Sequence, residues 1–253
     1  MPERPRVSFV VPAYNEERLL PACLQAIQAE IKRVGCTAEV IVVNNASTDR
    51  TREVAESFEG VVVVEQPVKG LSQARSAGFE ASCGVLVANI DADTLVPEGW
   101  LDRVLQAFDA PRPPGKKPLV VLSGPYEYYD VPRYMQVSAR AFYGMGYCTY
   151  LFNKRVLGVG SMVQGGNFVV LRDALASIGG ISDRFSFYGE DTDIAKRMCA
   201  VGDVTFTYAL RAKSSGRRLQ GDGMVLTGLR YGLNYTWATF FRKPFTTAWN
   251  DYR

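Results

Sequence analysis

Four short apolar runs, Val7–Val11, Val40–Val43, Val61–Glu65 and Val85–Ile90, alternate with stretches of helical spacing. No other feature restricts the fold of this chain as strongly. The runs are almost wholly apolar, so each reads as a strand covered on both sides rather than one with a wet face. Between them, Glu16–Lys32 puts Leu19, Leu20, Cys23, Leu24, Ile27 and Ile31 on one helical face. The turn and N-cap cluster Asn44–Asp49 precedes a second helix, Thr51–Phe58, and Leu71–Ser82 carries Ala74, Ala77 and Ala81, small enough for close packing. Trp100–Ala110 adds a fourth helix. This order predicts an α/β protein with a mostly parallel, doubly wound central sheet flanked by helices.

The pattern changes after the proline-rich loop Pro111–Pro118. Leu119–Gly124 and Gly165–Leu171 read as strands, and Asp173–Ile178 and Glu190–Val201 as helices. Pro125–Leu157 is rich in Tyr and Met and is expected to be mostly helical. This second half is expected to add strands and an acceptor site to the same sheet. A length of 253 residues suits one large domain. The division expected from sequence is a catalytic domain over 1–210, with halves 1–110 and 119–210, and a C-terminal extension over 211–253.

The chain contains no histidine, which removes His-ligated zinc, His acid–base catalysis and any Ser-His-Asp triad. Proton transfer then falls to carboxylates, Tyr, Lys or Cys. Five scattered cysteines without a CxxC pair suggest reduced core residues of a cytoplasmic protein. The polar start, Met1–Arg6, shows no signal-peptide pattern, and no run of about 18 apolar residues suits a spanning helix. The net charge of +3 is uneven: residues 211–253 hold eight Lys/Arg against two Asp. There Leu226, Leu229, Leu233, Trp237 and Phe240 form a helical apolar stripe, with Arg230, Arg242 and Lys243 and with Tyr231, Tyr235 and Phe241 nearby. Such a segment fits an anionic membrane interface or packing on protein equally well.

Polar clusters end each of the first four strands: Pro12–Glu17, Asn44–Thr51, Lys69–Arg75 and Asp91-Ala92-Asp93. Open α/β sheets bind ligands outside the carboxyl ends of their strands. Two carboxylates flanking one small residue suit a divalent cation with a phosphorylated ligand. A second Asp-x-Asp, Asp191-Thr192-Asp193, follows Phe187-Tyr188-Gly189-Glu190 and opens a helix, where acids also favour the positive end of the dipole.

Taken in order, Val10–Glu16, Val42–Thr51, Gly70–Gly78, Asp91-Ala92-Asp93 and Gly189-Glu190-Asp191 resemble glycosyltransferase family 2, whose fold is GT-A. The resemblance covers roughly Val7–Val201. It implies that Pro12, Tyr14, Glu16, Asn45, Arg75, Asp91, Ala92 and Asp93 bind a nucleotide-diphosphate sugar, a UDP-sugar in the first instance. Asn45 stands where the family often has an Asp that contacts uracil. Asp93, with Asp91, would ligate Mg2+ or Mn2+. Asp191 would be the base of an inverting transfer, with Glu190 beside it, and Gly166 and Asn167 of Gln164–Asn167 would line the donor-sugar and acceptor side. The implied partners are the sugar donor and a glycan or lipid-linked acceptor, with no nucleic acid; contact with an anionic membrane at its cytoplasmic face is the expectation from the basic, aromatic C-terminal stretch. A retaining transferase and a catalytically silent nucleotide-sugar binder remain the alternatives. A dehydrogenase is disfavoured, because no G-x-G-x-x-G follows a strand, and a nucleotidyltransferase because no Gly-rich, Lys-bearing loop follows the first strand.

Overall fold

The computed structural model describes residues 4–158, 162–182, 189–223, 227–230, 232–234 and 237. Its first half runs β1 (Val7–Ala13), α1 (Leu20–Val34), β2 (Ala38–Asn44), α2 (Thr51–Glu56), β3 (Val61–Glu65), α3 (Leu71–Ala81), β4 (Leu86–Ile90), β5 (Thr94–Leu95) and α4 (Trp100–Asp109). The second half runs β6 (Leu119–Ser123), β7 (Tyr126–Tyr128), α5 (Arg133–Phe152) with a π-helical turn at Asn153–Leu157, β8 (Asn167–Leu171), α6 (Arg172–Ser177), α7 (Glu190–Val201), β9 (Asp203–Phe206), β10 (Ala212–Ser214) and α8 (Arg217–Asp222).

Seven strands form the central sheet in the order β3-β2-β1-β4-β8-β6-β9. The four apolar runs pair in parallel, as do β6 and β9. Strand β8 is antiparallel to both neighbours. This reversal matters for the site. Ile90 at the end of β4 pairs with Asn167 at the start of β8, so the chain entering β8 arrives at the same carboxyl edge. A small second sheet, β5-β10-β7, stands over that edge.

Strand alternation divides the core into two layers. Phe9, Val11, Ala88 and Ile90 face α1 and α4, meeting Leu24, Ile27, Trp100 and Leu101. Val10, Val87 and Val170 face α3, α6 and α7, meeting Ala74, Leu175, Ile194 and Met198. A Cβ on Gly78 would stand 2.2 Å from Val10 Cγ1, so α3 lies this close to β1 only because that position is glycine.

Several sequence expectations need correction. Helix α1 starts at Leu20, four residues later than expected, with a proline in its first turn. Pro125–Leu157 opens with strand β7 before its long helix. Only Cys23 among the cysteines is fully buried, and Cys83 and Cys148 are exposed. Strand β10 pairs with β5 and β7. Phe187 and Tyr188 lie outside the described residues, as do Leu226, Tyr231, Tyr235, Phe240, Phe241, Arg242 and Lys243 of the C-terminal stripe. No helix among the described residues is long and apolar enough to cross a membrane.

Candidate active site

Asp91 leaves the end of β4 with each carboxylate oxygen engaged. Oδ1 accepts from Arg75 Nη2 at 3.0 Å and Oδ2 from the Tyr126 hydroxyl at 3.0 Å. Ala92 is buried between the two aspartates. The Asp91 backbone N–H donates to the Gly166 carbonyl at 3.3 Å. A Cβ on Gly166 would lie 2.0 Å from Asp91 Cγ and 2.2 Å from the Tyr126 hydroxyl. Only glycine therefore lets the loop before β8 approach Asp91 this closely. Asn167 sits just beneath, fully buried: Trp100 Nε1 donates to its Oδ1 at 3.0 Å, and its Nδ2 donates to the Gly124 and Leu210 carbonyls at 3.0 and 2.7 Å. Its amide is committed to holding the strand ends.

Asp93 meets the second sheet. Pairing of β10 with β5 sets Ser214 opposite Thr94, and the Ser215 N–H donates to the Asp93 carbonyl at 3.2 Å. The chain then turns into α8, whose first residue, Arg217, reaches back. Its Nη2 donates to Asp93 Oδ2 at 3.0 Å and its Nη1 to Glu16 Oε2 at 3.1 Å. Glu16 is buried in the turn between β1 and α1, and its backbone N–H donates to the Thr51 hydroxyl at 2.7 Å. Burial opposes the charge on Arg217, but the Glu16 and Asp93 carboxylates outweigh it and hold the guanidinium above its ordinary pKa.

Arg75, on the inner face of α3, joins the two acidic motifs. It is 2% exposed; Nη2 serves Asp91, and Nη1 donates to Glu190 Oε2 at 3.2 Å. Glu190 is equally buried, while Asp191, the next residue of α7, is half-buried. Asp191 Oδ1 accepts the Thr192 N–H at 2.7 Å, and its Oδ2 would lie 3.6 Å from a Cβ on Gly165. Burial pushes both carboxyls above their ordinary pKa values. For Glu190 the Arg75 guanidinium opposes this and the neighbouring Asp191 adds to it; for Asp191 the Thr192 N–H and then Arg75 oppose it.

The remaining sequence-derived candidates line the far side of the edge. Pro12 pairs across to Val43 inside the sheet. Tyr14 carries the Lys69 ammonium 3.6 Å over its ring. Asn45 is buried, with its amide spent on the next loop: Nδ2 donates to the Gln66 and Val68 carbonyls at 3.1 and 2.7 Å, and Oδ1 accepts the Gly70 N–H at 2.8 Å. Asp49 Oδ1, just before α2, accepts the Thr51 N–H at 3.0 Å. Asn15 and Ala46, facing one another across this edge, hold positive φ angles of 52° and 59°. Such strain concentrates at ligand sites.

Three carboxylates, Glu16, Asp91 and Asp93, surround the entrance; together with burial, which dominates, their charges raise the pKa of the buried Cys23 thiol. Oxygen donors without histidine suit Mg2+ or Mn2+. Among the described residues no three His, Cys, Asp or Glu side chains converge closely enough to hold a metal alone. The Asp91 and Asp93 carboxylates are oxygen donors of the kind these ions take, and each is bonded to an arginine.

Tyr126, Ser214 and Arg217 join this constellation without having stood out in the sequence. A buried acid such as Glu16 calls for a cation, but nothing in the linear order selects a residue 201 positions away.

Comparison with known proteins gives the family and the fold. The family described as "Glycosyl transferase family 2" matches residues 8–179. Glycosyltransferase AglE of Haloferax volcanii is 34% identical over 104 residues, 39% of this chain and 34% of its own. An undecaprenyl-phosphate 4-deoxy-4-formamido-L-arabinose transferase of Pseudomonas paraeruginosa is 35% identical over 40% of this chain and 31% of its own. The chain thus spans about a third of the length of these relatives. Among solved structures, the mannosyltransferase PcManGT of Pyrobaculum calidifontis, in complex with GDP-mannose and Mn2+, superposes with a TM-score of 0.66 at 22% identity, covering 95% of this chain and 64% of that one. Glucosyl-3-phosphoglycerate synthase of Mycobacterium tuberculosis, with Mn2+, UDP-glucose and phosphoglyceric acid, gives 0.57 at 20% identity, covering 91% and 79%. These structures share the GT-A fold.

Proposed function

Because the chain belongs to glycosyltransferase family 2, a family of transferases, we propose that it moves a sugar from a nucleotide-diphosphate sugar, a UDP-sugar in the first instance, to an acceptor hydroxyl with inversion. The observation that carries this reading is the double use of Arg75, which ties Asp91 at the strand end to Glu190 at the start of α7. One guanidinium spans the donor-side and acceptor-side acids, so a sugar held at Asp91 lies within reach of the acidic pair.

In the reaction, the acceptor oxygen bonds to the anomeric carbon as that carbon's bond to the diphosphate oxygen breaks. The electron pair leaves with the diphosphate, and the hydroxyl proton passes to Asp191. Asp191 suits this role better than Glu190, because it is the more accessible of the two and Glu190 is bound to Arg75. Glu190, locked on Arg75, positions it. Asp91 and Asp93 would hold Mg2+ or Mn2+, which supplies neutralisation of charge on the leaving diphosphate. Tyr126 and Gly166 fix the rotamer of Asp91, and Arg217 fixes those of Asp93 and Glu16. Tyr14, with the turn of Pro12, lines the nucleotide side; Asn45 shapes it by holding the Gln66–Gly70 loop, and Asn167 supports the sugar side from below. A lipid-linked acceptor is supported by the undecaprenyl-phosphate relative.

A panel of nucleotide-sugar donors, scored for nucleoside diphosphate release with Mn2+ present, tests the proposal. Turnover with at least one donor, lost in Asp191→Asn and on adding chelator, is expected. Full activity in Asp191→Asn would remove the base assignment, and the anomer of the product checks inversion.

A further inference from the structure

Helix α5 shows the solvent an apolar stripe that no part of the catalytic reading uses. Tyr134, Val137, Ala141, Met145, Cys148 and Phe152 are all exposed and recur at steps of three and four residues, which puts them on one face of the helix. Tyr134, Met145 and Phe152 are 65%, 64% and 58% exposed. Val156, in the π-helical turn that follows, extends the stripe at 63%. The opposite face is the one that packs on the fold: Tyr143, Tyr147 and Tyr150 meet the Phe206 ring at 6.5, 6.3 and 6.4 Å. Twenty residues of helix make this ridge about 30 Å long. Contiguous exposed apolar surface of this kind marks an interaction site.

Charge selects the occupant. No Asp or Glu occurs between Asp130 and Asp173. Arg133 and Arg140, each one residue before a stripe position, and Arg155 are exposed. Apolar side chains bordered by cations alone complement an anionic lipid surface. Leu229 and Leu233, on the helical stretch whose Gly228 lies against Phe142 of α5, are exposed as well, at 60% and 45%.

We infer that the outer face of α5 lies in the plane of an anionic membrane, as a docking surface separate from the C-terminal residues beyond 237. The site is coupled to this ridge. Tyr126, on Asp91, and Asp130, which accepts from the Ser215 hydroxyl at 2.5 Å, immediately precede α5, and its Tyr143 donates to Gln164 Oε1 at 2.6 Å.

Flotation of the full chain with vesicles of phosphatidylcholine alone and with added phosphatidylglycerol tests the inference, and it needs no donor or metal, so its outcome is independent of the transfer reaction. Wild type is expected to bind only the anionic vesicles. Met145→Glu/Phe152→Glu should lose roughly tenfold or more in affinity. Arg133→Gln/Arg140→Gln should lose a comparable, roughly tenfold amount that shrinks at high salt. Both variants should keep the wild-type circular-dichroism melting curve. Absence of vesicle binding by wild type, or undiminished binding by the Met145/Phe152 variant, overturns it. So does a dimer in light scattering that this variant splits, which would assign the face to a second copy.

Discussion

Arg75 holds two carboxylates at one buried point. Removing it strands a fully buried Glu190 and a half-buried Asp91, and breaking a buried pair this way typically costs about 3–5 kcal/mol. Arg75→Ala should therefore lower stability by that order in urea denaturation, and Arg75→Lys should recover little, because an ammonium lacks the fork that reaches both acids. Asp191 behaves oppositely. Its folded pKa is raised by burial, so the folded state holds the proton more readily than the unfolded chain. Its charge thus costs stability at neutral pH, and that cost disappears as pH falls below the raised value. Asp191→Asn keeps an oxygen for the Thr192 N–H and should melt at or above the wild-type temperature at neutral pH, with the gap closing in acid. The same shift sets the acid limb of kcat/KM, which reports the free enzyme, above the ordinary carboxylate range. Gly166→Ala would press on Asp91 and the Tyr126 hydroxyl; calorimetry should show weakened Mn2+–nucleotide binding in a protein that still folds.

At the scale of elements, the apolar runs announced β1, β2 and β4, because a strand buried on both faces has no polar side to disguise it; β3 was announced too, but it is the edge strand and only partly covered, with Val62 51% exposed. The direction of β8 was hidden, since an apolar run reads the same both ways, yet that direction carries Gly166 and Asn167 to Asp91. Strands β5, β7 and β10 are two or three residues long, too short for any period to register. With them went the position of Arg217. The acids of both Asp-x-Asp motifs were legible from their places in the chain, whereas Arg75's two partners depend on how α3 and α7 meet over the sheet. Helix α1 yields its expected first turn because Glu16 is drawn into the pocket by Arg217. That contact carries a prediction of its own: Arg217 occupies one oxygen of Asp93, so Arg217→Ala should bind Mn2+ several-fold more tightly without nucleotide, by electron paramagnetic resonance, and transfer sugar more slowly. Unchanged Mn2+ affinity would contradict the role assigned to this bridge.

Across the whole molecule the charges are sorted. Acids converge at the carboxyl edge of the sheet, while the stretch from 131 to 172 has none, and α5 within it turns an apolar ridge to solvent. The acid-lined edge suits a cation and a diphosphate; the basic, apolar ridge suits a lipid surface, and β7 joins the two. The central claim is that both Asp-x-Asp motifs serve one reaction, one on the leaving group and the other on the acceptor proton. Wild type and Asp191→Asn, compared side by side for Mn2+-dependent nucleoside diphosphate binding and for sugar transfer, test it most directly. Equal binding affinity with transfer reduced by roughly 10²–10⁴-fold in the variant is the predicted result; transfer at the wild-type rate, or loss of nucleotide binding together with transfer, would contradict it.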